Sequence, residues 1–146
     1  MKESTVTAVV VAISLSFSAA AMADNMSKSE YNADKNNIQA EYKSAKAICG
    51  QYKSNAKDVC VAEAKGKENV ALAELEATYQ PGPKASYNVL IARAEADYSV
   101  AKQKCDDQAG NAKDVCVKEA EAAHTAAKAD AKAQMKTSDA NKTANE

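Results

Sequence analysis

Tryptophan is absent from this 146-residue chain, phenylalanine and histidine occur once each, and proline occurs twice. No Ser-His-Asp order appears around the single His, and one His makes no His-based ligand cluster. Neither sign of charge is in excess: the formal net charge is −1, without the basic surplus of a nucleic-acid binder. Large apolar side chains are also scarce once the first 23 residues are set aside. Residues 24–146 contain seven Val, three Ile, three Leu and no Phe. That is about 11% of the segment, below the ~20% at which a large core becomes doubtful. These shortages exclude a large enzyme, a multi-domain chain and a polytopic membrane protein. They leave little material for a catalytic pocket, so a non-enzyme without a cofactor is expected.

What is present begins with an export signal. Met1-Lys2 forms a short positive start, blunted by Glu3, and residues 6–17 are apolar except for Thr7, Ser14 and Ser16. Ala21-Met22-Ala23 then supplies the small residues that a signal peptidase reads, which places cleavage between Ala23 and Asp24. The run is shorter than the ~20 apolar residues of a spanning helix, and no second run of that length follows. No Cys lies near the cleavage site to carry a lipid. The reading is a signal peptide over 1–23 and a periplasmic mature protein with no membrane span.

The rest of the chain is a tandem repeat. Residues 42–64 read YKSAKAICGQYKSNAKDVCVAEA and residues 98–120 read YSVAKQKCDDQAGNAKDVCVKEA, and 13 of these 23 positions are identical without a gap. The shift is 56 residues, and it also aligns Tyr31-Asn32 with Tyr87-Asn88. Such self-similarity marks one supersecondary unit used twice.

Each unit reads as a helical hairpin. Tyr87, Ile91, Ala94, Tyr98, Ala101 and Cys105 are spaced as one helix stripe, in the 4-3 rhythm of a coiled coil. Their equivalents are Tyr31, Lys35, Ile38, Tyr42, Ala45 and Cys49, where Lys35 breaks the pattern. Core packing is the expectation for these tyrosines. Asn55 and Asn111 are expected as N-caps of the second helix in each unit. Asp58 and Asp114, three residues on, are expected to face the positive helix end as an Asp version of the capping box. Pro81-Gly82-Pro83 separates the units.

The spacing predicts helices near 29–50, 55–79, 84–107 and 111–135. The expected fold is all-α: two tandem antiparallel hairpins, forming an elongated or loosely packed four-helix bundle. The domains are hairpin one over 24–80 and hairpin two over 81–135. A disordered tail is expected over 136–146, and a loose start over 24–28. Helices two and four are apolar mostly through Ala, so the core should be thin and in need of staples. The pairs Glu63/Lys67 and Asp114/Lys118 are spaced i,i+4 as solvated helix pairs.

Cys49, Cys60, Cys105 and Cys116 carry the strongest chemical signal. In an exported chain they imply two disulfides. The repeat favours Cys49–Cys60 and Cys105–Cys116. Eleven residues along one helix would span about 16 Å, but across a hairpin turn the two thiols meet. Both cysteine turns lie at one end of an up-down-up-down array, which keeps two alternatives in view: cross-unit pairing and a metal cluster of four thiolates. No CxxC motif is present to mark a redox or structural zinc site. His124 aligns with Glu68 and reads as a residue of a solvated helix.

The paired NAKDVCVxEA blocks, behind a signal peptide in an Ala/Lys-rich helical chain, resemble a family of uncharacterised secreted proteobacterial proteins. In composition alone the chain is similar to the helical stalk of TolA, an envelope protein. The resemblance implies an envelope location and transfers no functional residue. The functional expectation is a non-catalytic periplasmic repeat protein acting by protein–protein or envelope contact, as a structural or chaperone-like module. The alternative is a cysteine-based redox sensor or metal binder. The sequence leaves the partner and the oligomeric state open.

Overall fold

A computed structural model describes residues 26–144 of the chain. The segment read as an export signal, the expected Ala23/Asp24 junction and the last two residues lie outside the described residues. Four helices follow one another: α1 (Lys28–Cys49), α2 (Ser54–Tyr79), α3 (Pro83–Cys105) and α4 (Gly110–Ala144). No strand occurs among the described residues. The all-α expectation holds, and each end observed for α1, α2 and α3 lies within two residues of the expected one.

The helices pack in chain order, α1 on α2, α2 on α3 and α3 on α4, and no other pair approaches among the described residues. The bundle is therefore open, a row of antiparallel helices with α1 and α4 as its two edges. The sequence stripes lie inside it. Cys49, Ala94 and Cys105 are buried, Tyr31, Ile38, Tyr42, Tyr87, Ile91 and Tyr98 are half-buried, and Lys35 is exposed as its charge requires. The fully covered residues are almost all small (Ala64, Ala94, Ala120, Ala131 and two Cys), with Leu75 the one large aliphatic side chain among them. Small side chains bring helices close but remove little apolar area from water, at about 25 cal/mol per Å2.

Two chain ends differ from expectation. The segment expected to be loose before residue 28 is anchored at Ser27. Its hydroxyl accepts from the Glu30 backbone N–H at 3.2 Å, and Glu30 Oε2 accepts from the Ser27 N–H at 2.8 Å. This reciprocal capping box satisfies two orphan donors of α1. At the other end, α4 continues to Ala144 where a disordered tail was expected from residue 136. Residues 136–144 are all exposed and gain no packing. They extend a helix already nucleated, which adds one hydrogen bond per residue fixed. Thr137 and Thr143 also donate their hydroxyls to the carbonyls of Ala133 and Asp139, one turn back.

Candidate functional site

Two features stand out at the junctions between helices: the cystine end, and the groove where the repeats meet.

Cys49 is bonded to Cys60 and Cys105 to Cys116, with Cα separations of 5.5 and 5.6 Å. No free cysteine remains among the described residues. The within-unit pairing expected from the repeat is the one observed. Cross-unit pairing is excluded, and a four-thiolate metal site has no thiolate left to use. Each bridge ties the last residue of one helix to the first turns of the next. Cys49 is 1% exposed and Cys105 0%, so one sulfur of each bridge is sealed against an attacking thiolate. Among the described residues, no group of three or more His, Cys, Asp and Glu is arranged to hold a metal ion.

The expected N-caps are corrected. Asn55 is the second residue of α2, whose cap is Lys53 with extended backbone and no side-chain bond. Asn111 is likewise the second residue of α4. Inside the helix, the side chain of Asn55 is free to reach a neighbouring helix, and its Nδ2 donates to the Gln103 carbonyl near the end of α3, at 2.8 Å. This bond joins repeat one to repeat two at the cystine end. Asp58 and Asp114 follow as fifth residues of their helices, and neither first turn carries an acidic residue. The i,i+4 pairs also give way to other partners. Glu63 lies 3.8 Å from Lys104 on α3, and Lys118 reaches Glu121 at 3.3 Å. Lys113 closes the second cystine turn on Asp106 at 2.8 Å, and that hydrogen bond raises the lysine's pKa.

The two hairpins are filled differently. In hairpin one, the Tyr31 hydroxyl donates to Glu76 Oε2 at 2.8 Å, which raises the phenol's pKa, and its ring packs on Tyr79 with centroids 4.6 Å apart. Glu68 is buried and takes Lys65 at 2.7 Å, and that bond raises the lysine's pKa. The Lys65 Nζ also sits 5.1 Å from the Tyr42 ring centroid. In hairpin two, the position of Glu68 is filled by His124. Its ring stacks on Tyr98 at 4.7 Å, and its Nε2 is buried without a hydrogen-bond partner. The reading of His124 as a solvated-helix residue is thus corrected, because the repeat places it on the face that α4 turns to α3.

A groove of about 820 Å3 lies between α2 and α3. Gly66, Val70, Ala71, Ala96, Val100 and Ala101 give it an apolar lining. Its borders carry opposed charges. Glu74 and Arg93 pair across it at 2.6 Å, and Glu63 and Lys104 at 3.8 Å. Lys67 and Asp97 line it between those pairs and form no ion pair with each other. Sequence reasoning missed this groove, because it belongs to the contact between units. The signal available was at Gly66 and Val70 of α2, for which the repeat has Ala122 and Ala126. No protein-family model, no curated protein and no solved structure matches the chain.

Proposed function

We propose that the protein is a non-catalytic contact module of the periplasm, exported by cleavage after Ala23 and stapled by its two disulfides on arrival. The disulfides support an oxidising compartment, and no helix among the described residues is long and apolar enough to cross a membrane. The observation that carries the contact role is the α2–α3 groove. Its occupant is a helical segment of an envelope protein, narrow and apolar on the face that meets Val70 and Val100. It carries one acidic and one basic group to satisfy Lys67 and Asp97, the unpaired middle of the charged border. Amphipathic helices enter grooves of this kind with their apolar face down.

The test uses a photoreactive benzophenone residue at Val100 in the exported protein, with Thr125 on the exposed face of α4 as control. The reading expects one defined crosslinked protein from position 100, none from 125, and loss of the product in Val70→Lys. No product from position 100, or equal products from both positions, overturns it.

A further inference from the structure

The repeat supplies a template for what meets the two free edges of the row. Inside the chain, α2 of unit one receives α3, the first helix of unit two. The same operation applied again brings α4 against the α1 of another chain. We propose that a second copy docks the outer face of its α1 on the outer face of α4, head to tail, as α3 docks on α2.

The residues at the two edges correspond to the two halves of the internal contact. A concave patch on α1 is lined by Asn37, Ala40, Glu41, Ser44, Ala45 and Ile48. Shifted by 56, these are Arg93, Ala96, Asp97, Val100, Ala101 and Lys104, which form the α3 half of the groove between the repeats. A second patch on α4 includes Asn111, Val115, Glu119 and Ala122. These correspond to Asn55, Val59, Glu63 and Gly66 on α2. The antiparallel register of the internal contact sets Gly66 against Ala96. Applied to the outer faces, that register sets Ala122 against Ala40 and Val115 against Ile48.

Those last two residues matter most. Ile48 is 56% exposed and Val115 47%; with Tyr52 in the first cystine turn they are the exposed large apolar residues of the described chain. Both lie on edge helices, one per edge, at positions the repeat brings face to face. At the position of Ile48 the internal contact has Lys104, a charge paired with Glu63. At the edge Ile48 takes the place of that lysine and meets Val115, the equivalent of Val59, while Glu119, the equivalent of Glu63, loses its cation partner. Asn111 has the reach to donate to the Ala47 carbonyl, as Asn55 does to Gln103.

Other substitutions weaken the outer contact relative to the inner one. Ala122 adds a Cβ where Gly66 has none, and at the inner spacing it would meet the Ala40 Cβ at 2.8 Å, so the outer faces keep the register of α2 and α3 but stand farther apart. The Glu74–Arg93 pair becomes Asp130 and Asn37. The association is thus of the small, reversible class. Being heterologous, it leaves one edge free on each end of every assembly.

Sedimentation equilibrium of the full mature protein, from low micromolar to millimolar, tests this with two variants, Ile48→Glu and Val115→Glu. Circular dichroism checks that both keep their helix content. The wild type is expected to associate with rising concentration beyond dimer. Each variant alone is expected to associate at least tenfold more weakly, because every head-to-tail contact uses both faces. An equimolar mixture of the two is expected to recover wild-type affinity and stop at a heterodimer, joined through the one intact pair of faces. A wild type monomeric throughout overturns the proposal. So does a variant that still dimerises alone, which would mark a symmetric contact through one edge, and so does a mixture no stronger than its components. The photocrosslink at Val100 is a separate readout, so failure of either reading leaves the other standing.

Discussion

A Cβ added at Gly66 would stand 2.8 Å from the Cβ of Ala96, closer than two such atoms approach. The missing side chain is what lets α2 and α3 pack as they do. Gly66→Ala gains about 1 kcal/mol of helix propensity but forces a contact that neither Cβ can rotate away from. Overpacking of this kind costs about 1–3 kcal/mol. The expected outcome is a net loss of up to about 2 kcal/mol in urea unfolding. Gly66→Ala with Ala96→Gly should recover most of it, since the second change reopens the same space.

Ser54 and Gly110 are equivalent residues, and both begin their helices in the left-handed region, at φ of 50° and 57°. Glycine takes that conformation freely, whereas an L-residue incurs about 1 kcal/mol. Ser54→Gly is therefore expected to stabilise the fold and Gly110→Ala to destabilise it, each by about 1 kcal/mol in urea unfolding. Opposite signs at equivalent positions are the check. Equal signs would mean that the two cystine turns differ in backbone.

The pairing of the cysteines was legible because the repeat and the hairpin turn both restrict it. The helices were legible from the stripes, which need no tertiary information. The caps were not. NAKD is a good helix-start motif on local grounds, but the chain enters α2 one residue earlier, at a left-handed Ser54. Asn55 is thereby freed for α3. The one true box, Ser27 with Glu30, has the S-x-x-E signature in plain view, but it sits just outside the repeat, where no second copy marks it. The groove and the half-buried His124 were hidden for a different reason: both depend on which helix faces meet, and a thin Ala-rich pattern does not announce its faces.

The Ser27 box makes a pH prediction. The Ser27 backbone N–H, and secondarily its hydroxyl, hold the Glu30 carboxylate below its ordinary pKa. The bonds favour the charged form in the folded state. Their contribution is present above the ordinary glutamate range and is lost as pH falls through the lowered value. NMR titration of the Glu30 side chain should give a midpoint below that of a free glutamate. In Ser27→Ala it should move upward, with earlier fraying of the first turn of α1. An unchanged midpoint would mean the box is not formed in solution.

The cystines carry different shares of the two hairpins. Removing either one frees a short closed loop in the unfolded chain, a loss of about 3 kcal/mol in the chain-entropy model. Hairpin one keeps its far-end tie, the Tyr31–Glu76 bond and the Tyr31–Tyr79 contact. In hairpin two the equivalents of Glu76 and Tyr79 are Lys132 and Met135. Cys105→Ser with Cys116→Ser is therefore expected to release α4 locally, seen as fast amide exchange from α4 with α2 still protected. Cys49→Ser with Cys60→Ser should lower the melting temperature with less local opening of α1. Equal exchange in the two hairpins would count against the far-end tie.

The proposed export and the stapling belong together, because so thin a core makes the bridges a large share of the fold's stability. Leu75 is the one large aliphatic residue of the covered core among the described residues, so two bridges at about 3 kcal/mol each rival the stability of a marginal domain. The protein exported from its full sequence is expected to begin at Asp24 by N-terminal sequencing and to show no free thiol after alkylation on lysis. The same chain made from residue 24 in a reducing cytosol is expected to alkylate at all four cysteines and to be degraded faster. Its protection should return when the purified chain is oxidised in air. A cytosolic chain as protease-resistant as the exported one would show that helix packing alone suffices, and would remove the reason for tying this fold to an oxidising compartment.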